Sequence, residues 1–497
     1  MEGKTDAYRE LLGIYDEVSV LGDISSILNW DQYTYMPRMA AESRGAQFAY
    51  LSGLTHRKIT NPKVGALISS LQSADLSDKE AAVVREVSRV YKRKTAVPEE
   101  LESKIARLEP LSVQAWIEAK KKGDFGIFAP KLKEMIVLKM EVAEKVGYTD
   151  TPYDALLEDH EPYTHTQQVR EVFTRLKGKL VPVIEKLVAV NAEDIQFPGE
   201  YPQQVQDELY RRILVDMGYD FERGRLDTTE HPFTIGTGDD TRITTHYYDH
   251  DPRPALFSCI HEGGHALYEQ GFLKENMHTP LGEACSLGIH ESQSRFWENL
   301  IGRSMPFWKH YYTELQTSFP QIASMPLSVF YRGINQVRPS LIRVEADEAT
   351  YNLHILIRFE IEIDIFEGRL DVAEIPQAWN DRYEEYLGIR PESDSSGCLQ
   401  DIHWSIGSFG YFPTYALGNL YAAQFFASMR KDLEVDLLLE KGELAPILSW
   451  LRTNIHERGK LYPASELVRV VTGSELSEDH FIEYLKGKYG PIYGVTF

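Results

Sequence analysis

Cysteine is scarce: Cys259, Cys285 and Cys398 are the only three in 497 residues. They are too few and too scattered to staple a fold or form a Cys-x-x-Cys metal site, which leaves them as buried thiols. Nowhere do about 18 apolar residues run together, so no membrane-spanning helix is expected. The opening Met1-Glu-Gly-Lys-Thr-Asp lacks the basic and apolar regions of a secretory signal. A cytoplasmic protein is expected. Positive charge is also short, 53 Lys and Arg against 75 Asp and Glu, for a net charge of −22. That balance argues against a nucleic-acid or anionic-membrane partner. Repeats, low-complexity tracts and long linkers are missing as well. The expectation is one domain over residues 1–497, roughly 1–200 a helical part and 201–497 a part carrying the chemistry.

What is present is mostly helical periodicity. Leu11, Tyr15, Val18, Leu21, Ile24 and Leu28 form one stripe ahead of Trp30-Asp31 and a stop at Pro37. Val169, Phe173, Leu176, Leu180, Ile184 and Leu187 form another, with Pro182 placed to kink it. The character changes after Thr228. Arg242, Thr244 and His246 alternate with Ile243, Thr245 and Tyr247, the best strand candidate in the chain. Lying just before the stretch described next, it could be a sheet edge to which an extended peptide adds as a further strand.

The chemistry centres on His261-Glu262-Gly263-Gly264-His265. On a helix the two histidines lie one turn apart on one face. Neutral imidazoles at i and i+4 offer two nitrogens to a borderline-soft divalent ion such as zinc. Glu262 then projects beside the ion, placed to take a proton from a water the ion acidifies and to pass it to a leaving nitrogen. Each glycine costs a helix interior about 1 kcal/mol relative to Ala, so something else must want them. One reading is close passage of another backbone, or of an extended peptide, beside the histidines.

A third ligand separates such a site from a chance match, and the acids after Gly282 are the candidates. Glu291 follows His265 by enough chain to finish one helix, turn and lay another alongside, and Ser294 and Arg295 are spaced to orient its carboxylate. Glu283 and Glu298 are alternatives; Glu269 would need an implausible reach along the first helix. Three protein ligands leave a fourth position for water, the catalytic pattern.

These residues carry a resemblance. The chain is similar nearly end to end to the carboxypeptidase Taq family of metallocarboxypeptidases, through His231-Pro-Phe233, Asp240-x-Arg242-x-Thr244, His261-Glu-Gly-Gly-His265 with His290-Glu-Ser-Gln-Ser-Arg295, Ile342-Arg343-x-x-Ala346-Asp347, and Gly397-x-x-Gln400-Asp401-x-His403-Trp404. Tyr163, after Glu161-Pro162, departs from the small residue expected there. The resemblance implies a mainly α fold, with two halves flanking a deep active-site cleft and a small β-sheet near the metal. It implies release of C-terminal amino acids from peptides one at a time with broad specificity, one zinc or cobalt ion per chain, and a homodimer. By motif, His261, His265 and Glu291 are ligands and Glu262 the general base and acid. His231 and Asp240 fall in elements assigned to the substrate groove.

Arg343 or Arg242 would receive the terminal carboxylate, since a guanidinium binds one bidentately without risk of deprotonation. Arg343 is preferred because nearby Glu345, Asp347 and Glu348 could preset its orientation. For the oxyanion, Tyr415 is the first choice and Tyr411 the second, with His403 beside them at a spacing resembling the His and Tyr pair of related cleft-shaped metallopeptidases. Two other readings are an endo-acting oligopeptidase of the same metal chemistry and a non-catalytic helical scaffold that binds peptides.

Overall fold

The computed structural model describes residues 2–190 and 192–497. As expected, helices dominate, and a three-stranded sheet is the β-structure among the described residues. The first stripe becomes one long helix, Glu2–Thr34. Leu11 and Tyr15 are buried from it, while Ile24 stays exposed. The second stripe is buried throughout in the helix Thr166–Ala189, which runs on through Pro182.

Two hydrophobic cores are present. A small one joins the first four helices, Glu2–Thr34, Ala41–Ile59, Pro62–Gln72 and Asp78–Ala96, around Leu11, Val64, Leu71, Val83 and Val87. The other runs from Leu108 to Tyr489, while Leu281, from outside the first four helices, is buried in the small core. The expected division near residue 200 therefore does not coincide with the division between cores: Thr166–Ala189 packs with the later helices. No described helix is long and apolar enough to cross a membrane.

The sheet is built from β1 (Gly224–Thr228), β2 (Thr234–Thr237) and β3 (Asp240–Thr245) in the order β1-β3-β2. β3 pairs parallel with β1 and antiparallel with β2. This corrects the sequence reading at one point. The strand candidate is real, but its backbone is bonded on both sides, so no peptide can add to it as a further strand. β2, too short and Gly-rich to read as a strand, is an outer strand instead, and it lies beside the histidine helix.

Candidate metal centre

The helix Arg253–Glu269 carries His261, Glu262 and His265. Its glycines are explained by packing. A Cβ on Gly264 would come within 2.6 Å of the Gln293 carbonyl oxygen and 2.7 Å of the Ser294 Cα, and one on Gly263 within 2.5 Å of a Leu214 methyl group. The backbone that passes Gly264 is thus that of the helix Leu287–Arg295, which carries Glu291, and not a bound peptide. The helix Phe412–Asp432 closes in from another side. There a Cβ on Gly418 would meet the Glu291 Cγ at 2.6 Å.

This crossing brings His261, His265 and Glu291 together, with donor atoms all within 4.8 Å of one another. The Nε2 atoms of His261 and His265 lie 3.7 and 3.3 Å from Glu291 Oε2. Each histidine has its Nδ1 engaged elsewhere, by Glu298 Oε2 at 2.9 Å and by His290 Nδ1 at 2.6 Å respectively. Each therefore turns Nε2 inward. Glu291 accepts from Arg295 Nε at 2.6 Å and from Ser294 Oγ at 3.1 Å, the two residues the spacing singled out. Two imidazole nitrogens and one carboxylate oxygen, all held from behind, suit a borderline-soft divalent ion.

The charges are arranged for such an ion. Burial works against ionised Glu291, but Arg295 and His261 outweigh it and keep the carboxyl well below its ordinary range. Burial lowers His265 to about 3, which leaves the neutral imidazole a ligand requires. Glu262 is pushed upward by burial. It is not among the converging donors; the Thr234 hydroxyl on β2 donates to its Oε2 at 2.6 Å and lies 3.0 Å from the Glu262 backbone carbonyl oxygen. Of the alternative acids, Glu283 is taken up by Tyr15 and Lys460 away from the site. Glu298 and Glu269 sit behind the ligands.

Glu298 reaches back to His261 because the helix Leu287–Arg295 widens into a π-helical segment, Phe296–Gly302. Arg295 and Arg303 also hold it at 3.2 Å. Burial notwithstanding, these partners take its carboxyl down to about 2. Glu269 makes the reach along the helix that looked implausible, by way of His290, whose Nε2 lies 2.8 Å from Glu269 Oε1.

Arg343 is buried, but not among the acids next to it in sequence. Asp347 instead caps the turn at Thr350 and Glu348 pairs with Lys488. The Arg343 partner is Asp401, at 2.9 Å from Nε, and Tyr351 accepts from NH1 at 3.1 Å. Asp401 also bridges to Arg358 at 2.6 Å, so two guanidiniums share one carboxylate. The Arg343 guanidinium lies 5.0 Å from the centre of the Tyr415 ring, and Arg295 lies 4.5 Å from that of Tyr351. Tyr351 thus joins the Arg343 cluster to the partner of Glu291. The Tyr415 hydroxyl is 3.4 Å from His403 Nε2, and Tyr411 packs on both rings. Burial lowers His403 to about 4 and raises Tyr411 to about 12.

Arg242 is placed differently. Asp240 binds it bidentately at 2.7 and 2.8 Å, and its guanidinium lies 4.3 Å from the centre of the Trp30 ring on the long N-terminal helix. His231 is exposed just ahead of β2. Thr234, Glu298, Tyr351 and Asp401 complete the surroundings. The sequence offered them no role beyond the rejected ligand Glu298, since each acts across the fold.

A helical fold in which two histidines and a glutamate converge beside a further buried glutamate is the arrangement of a metallopeptidase. The chain belongs to the carboxypeptidase Taq (M32) metallopeptidase family, whose profile matches residues 10–489. It is 40% identical to thermostable carboxypeptidase 1 of Thermus thermophilus, over 98% of this chain and 99% of the relative. It is 40% identical to carboxypeptidase 1 of Bacillus subtilis, over 98% of each. The M32 carboxypeptidase of Deinococcus radiodurans superposes with a TM-score of 0.95 at 38% identity, covering 99% of this chain and 100% of that one. A Pyrococcus furiosus carboxypeptidase gives a TM-score of 0.95 at 37% identity over 97% and 99%. The chain is a metal-dependent carboxypeptidase acting on peptides.

Proposed function

We propose that His261, His265 and Glu291 hold one zinc or cobalt ion and that Glu262 is the general base and acid. When bound, such an ion polarises the scissile carbonyl and makes a water acidic near neutral pH. The observation that carries this reading is the convergence of three donors beside a fourth, buried carboxylate that stays out of the cluster. Thr234 holds one oxygen of Glu262 and leaves the other to take a proton from the attacking water. Burial raises the affinity of Glu262 for that proton, which it then delivers to the leaving nitrogen.

Arg343 receives the substrate's terminal carboxylate. Arg343, Arg358 and Asp401 together carry one excess positive charge, which an incoming carboxylate neutralises. Arg242 already has a full carboxylate of its own in Asp240, so it shapes the groove together with Asp240 and His231. Tyr415 donates to the developing oxyanion, its hydroxyl oriented by neutral His403, and Tyr411 is the alternative donor. Product release is one amino acid at a time with broad specificity, by a cytoplasmic homodimer.

The test is digestion of matched free-acid and C-terminally amidated peptides by the metal-replete enzyme, read by mass spectrometry. Stepwise loss of single residues from the free acid alone supports the reading; internal cleavage of the amide overturns it. Sedimentation equilibrium checks the dimer.

A further inference from the structure

The two ligand histidines are held from behind in unlike ways. His261 Nδ1 meets a carboxylate directly, Glu298 at 2.9 Å. His265 Nδ1 meets another imidazole, His290 Nδ1 at 2.6 Å, and His290 Nε2 in turn meets Glu269 Oε1 at 2.8 Å. The rings of His265 and His290 lie side by side, their centres 4.5 Å apart and their planes 28° from parallel, and Tyr268 packs on His290 at 5.5 Å.

We infer that Glu269 and His290 are positioning residues that fix the proton on His265 and so set the affinity of the site for its ion. The inference rests on His265 being a ligand through Nε2. The proton placement then follows along the chain. A ligating Nε2 must be bare, so the proton of neutral His265 sits on Nδ1 and is donated to His290. His290 Nδ1 must be bare to accept it, so the His290 proton sits on Nε2. That proton is donated to Glu269, which as an ionised carboxylate is an acceptor only. Each link permits one direction, and the carboxylate at the far end determines both. An imidazole in between lets Glu269, on the same helix as His265 but one turn further on, act on a ring it cannot reach itself. Reversing any link would place the His265 proton on Nε2, where it blocks the ligand atom. Support of this kind behind a metal-bound imidazole is worth roughly 10–100-fold in metal affinity.

The test is zinc affinity, measured by competition with a chromophoric chelator, in folded apoprotein whose thermal unfolding matches wild type. His290→Phe keeps a flat ring beside His265 but removes both nitrogens, and zinc should bind about 10–100-fold more weakly. Glu269→Gln keeps a carbonyl acceptor for His290 Nε2 and should stay within about threefold of wild type, whereas Glu269→Leu should fall as far as His290→Phe. His265→Ala is the control. If it keeps wild-type affinity, His265 is no ligand and the underlying reading fails. If it loses zinc while His290→Phe stays within twofold of wild type, the positioning role fails alone. Equal losses in Glu269→Gln and Glu269→Leu would mean that the carboxylate acts through its charge, which overturns the directional chain.

Discussion

The first four helices and the body behind them are built on different principles. The body buries its charges and ties them to one another: Arg295 to Glu291 and Glu298, Arg343 and Arg358 to Asp401, Lys488 to Glu348. The N-terminal unit has a small core of its own and leaves Val20, Ile24, Ile27, Tyr35 and Met39 exposed. Its ties to the body are both apolar and polar: Leu281 and Leu461 pack into the small core, and Tyr15 donates to Glu283. Arg85 donates to the Lys460 and Leu461 carbonyls, His278 lies 2.9 Å from Asp16 and 3.3 Å from Asp23, and Trp30 lies under Arg225 and Arg242. Regions with few buried apolar contacts open at lower free energy. The lesson is a division of labour, with the candidate site in the body and a separately cored helical unit docked against it.

The largest effect should come from the body. Glu262→Gln should lower kcat by about 10²–10⁴-fold while the ion stays bound, because the carboxylate acts on the water and does not hold the metal. Kinetics paired with metal analysis decides it, and near-normal turnover in the loaded variant would refute the mechanism. Next, Arg343→Ala should cost about 2–4 kcal/mol in kcat/KM on free-acid peptides and little on amides. Arg242→Ala, at the seam, should cost less and affect both alike. A reversed order between the two would move the carboxylate receptor to Arg242 at the seam.

A third difference is in pH response. Glu362 is buried in the body, bonded by Tyr153, Trp404 and Gly410, and burial raises its carboxyl to about 7. Its protonated form is the one folding favours. Its contribution is therefore complete below pH 4.5 and lost as pH rises through about 7, at most roughly 3 kcal/mol. Relative to wild type, Glu362→Gln should gain stability in urea unfolding between pH 5 and pH 8; a constant difference would contradict this.

The smallest effects belong to the seam. Trp30→Phe keeps a buried ring beneath the two guanidiniums but gives up the indole's stronger attraction for them and should lower stability by about 1–2 kcal/mol, with kcat nearly unchanged. Tyr163 has φ of 64°, the left-handed region where glycine is at home, which explains why a small residue is expected there. Its hydroxyl offsets the strain by bonding Glu86 at 3.0 Å. Tyr163→Ala should be less stable than Tyr163→Gly by about 1 kcal/mol, since only the alanine keeps the backbone penalty after the bond is gone. Thermal melts of the two variants make the comparison.

The converging donors His261, His265 and Glu291 were legible because their rules are local: an i,i+4 pair on one helix face, and an acid with Ser and Arg three and four residues on. The helical stripes were legible for the same reason. What the sequence concealed is non-local. Glu298 depends on a π-helical segment, Thr234 on a strand too short to recognise, and the Arg343–Asp401 pair on residues 58 apart in the chain. The two glycines were recognised as a demand for space, but only the crossing of two helices says that the space is filled by the neighbour's backbone.

That crossing has a practical consequence for anyone redesigning the centre. With Gly264 pressed on one flank of the Glu291 helix and Gly418 on another, the helix has no slack in which to slide. A shortened ligand, as in Glu291→Asp, cannot be compensated by drawing the helix inward. An ion that prefers longer bonds cannot push it outward. The spacing of the three donors is thus fixed by backbone packing as much as by side-chain identity, and altering it means starting from the glycines.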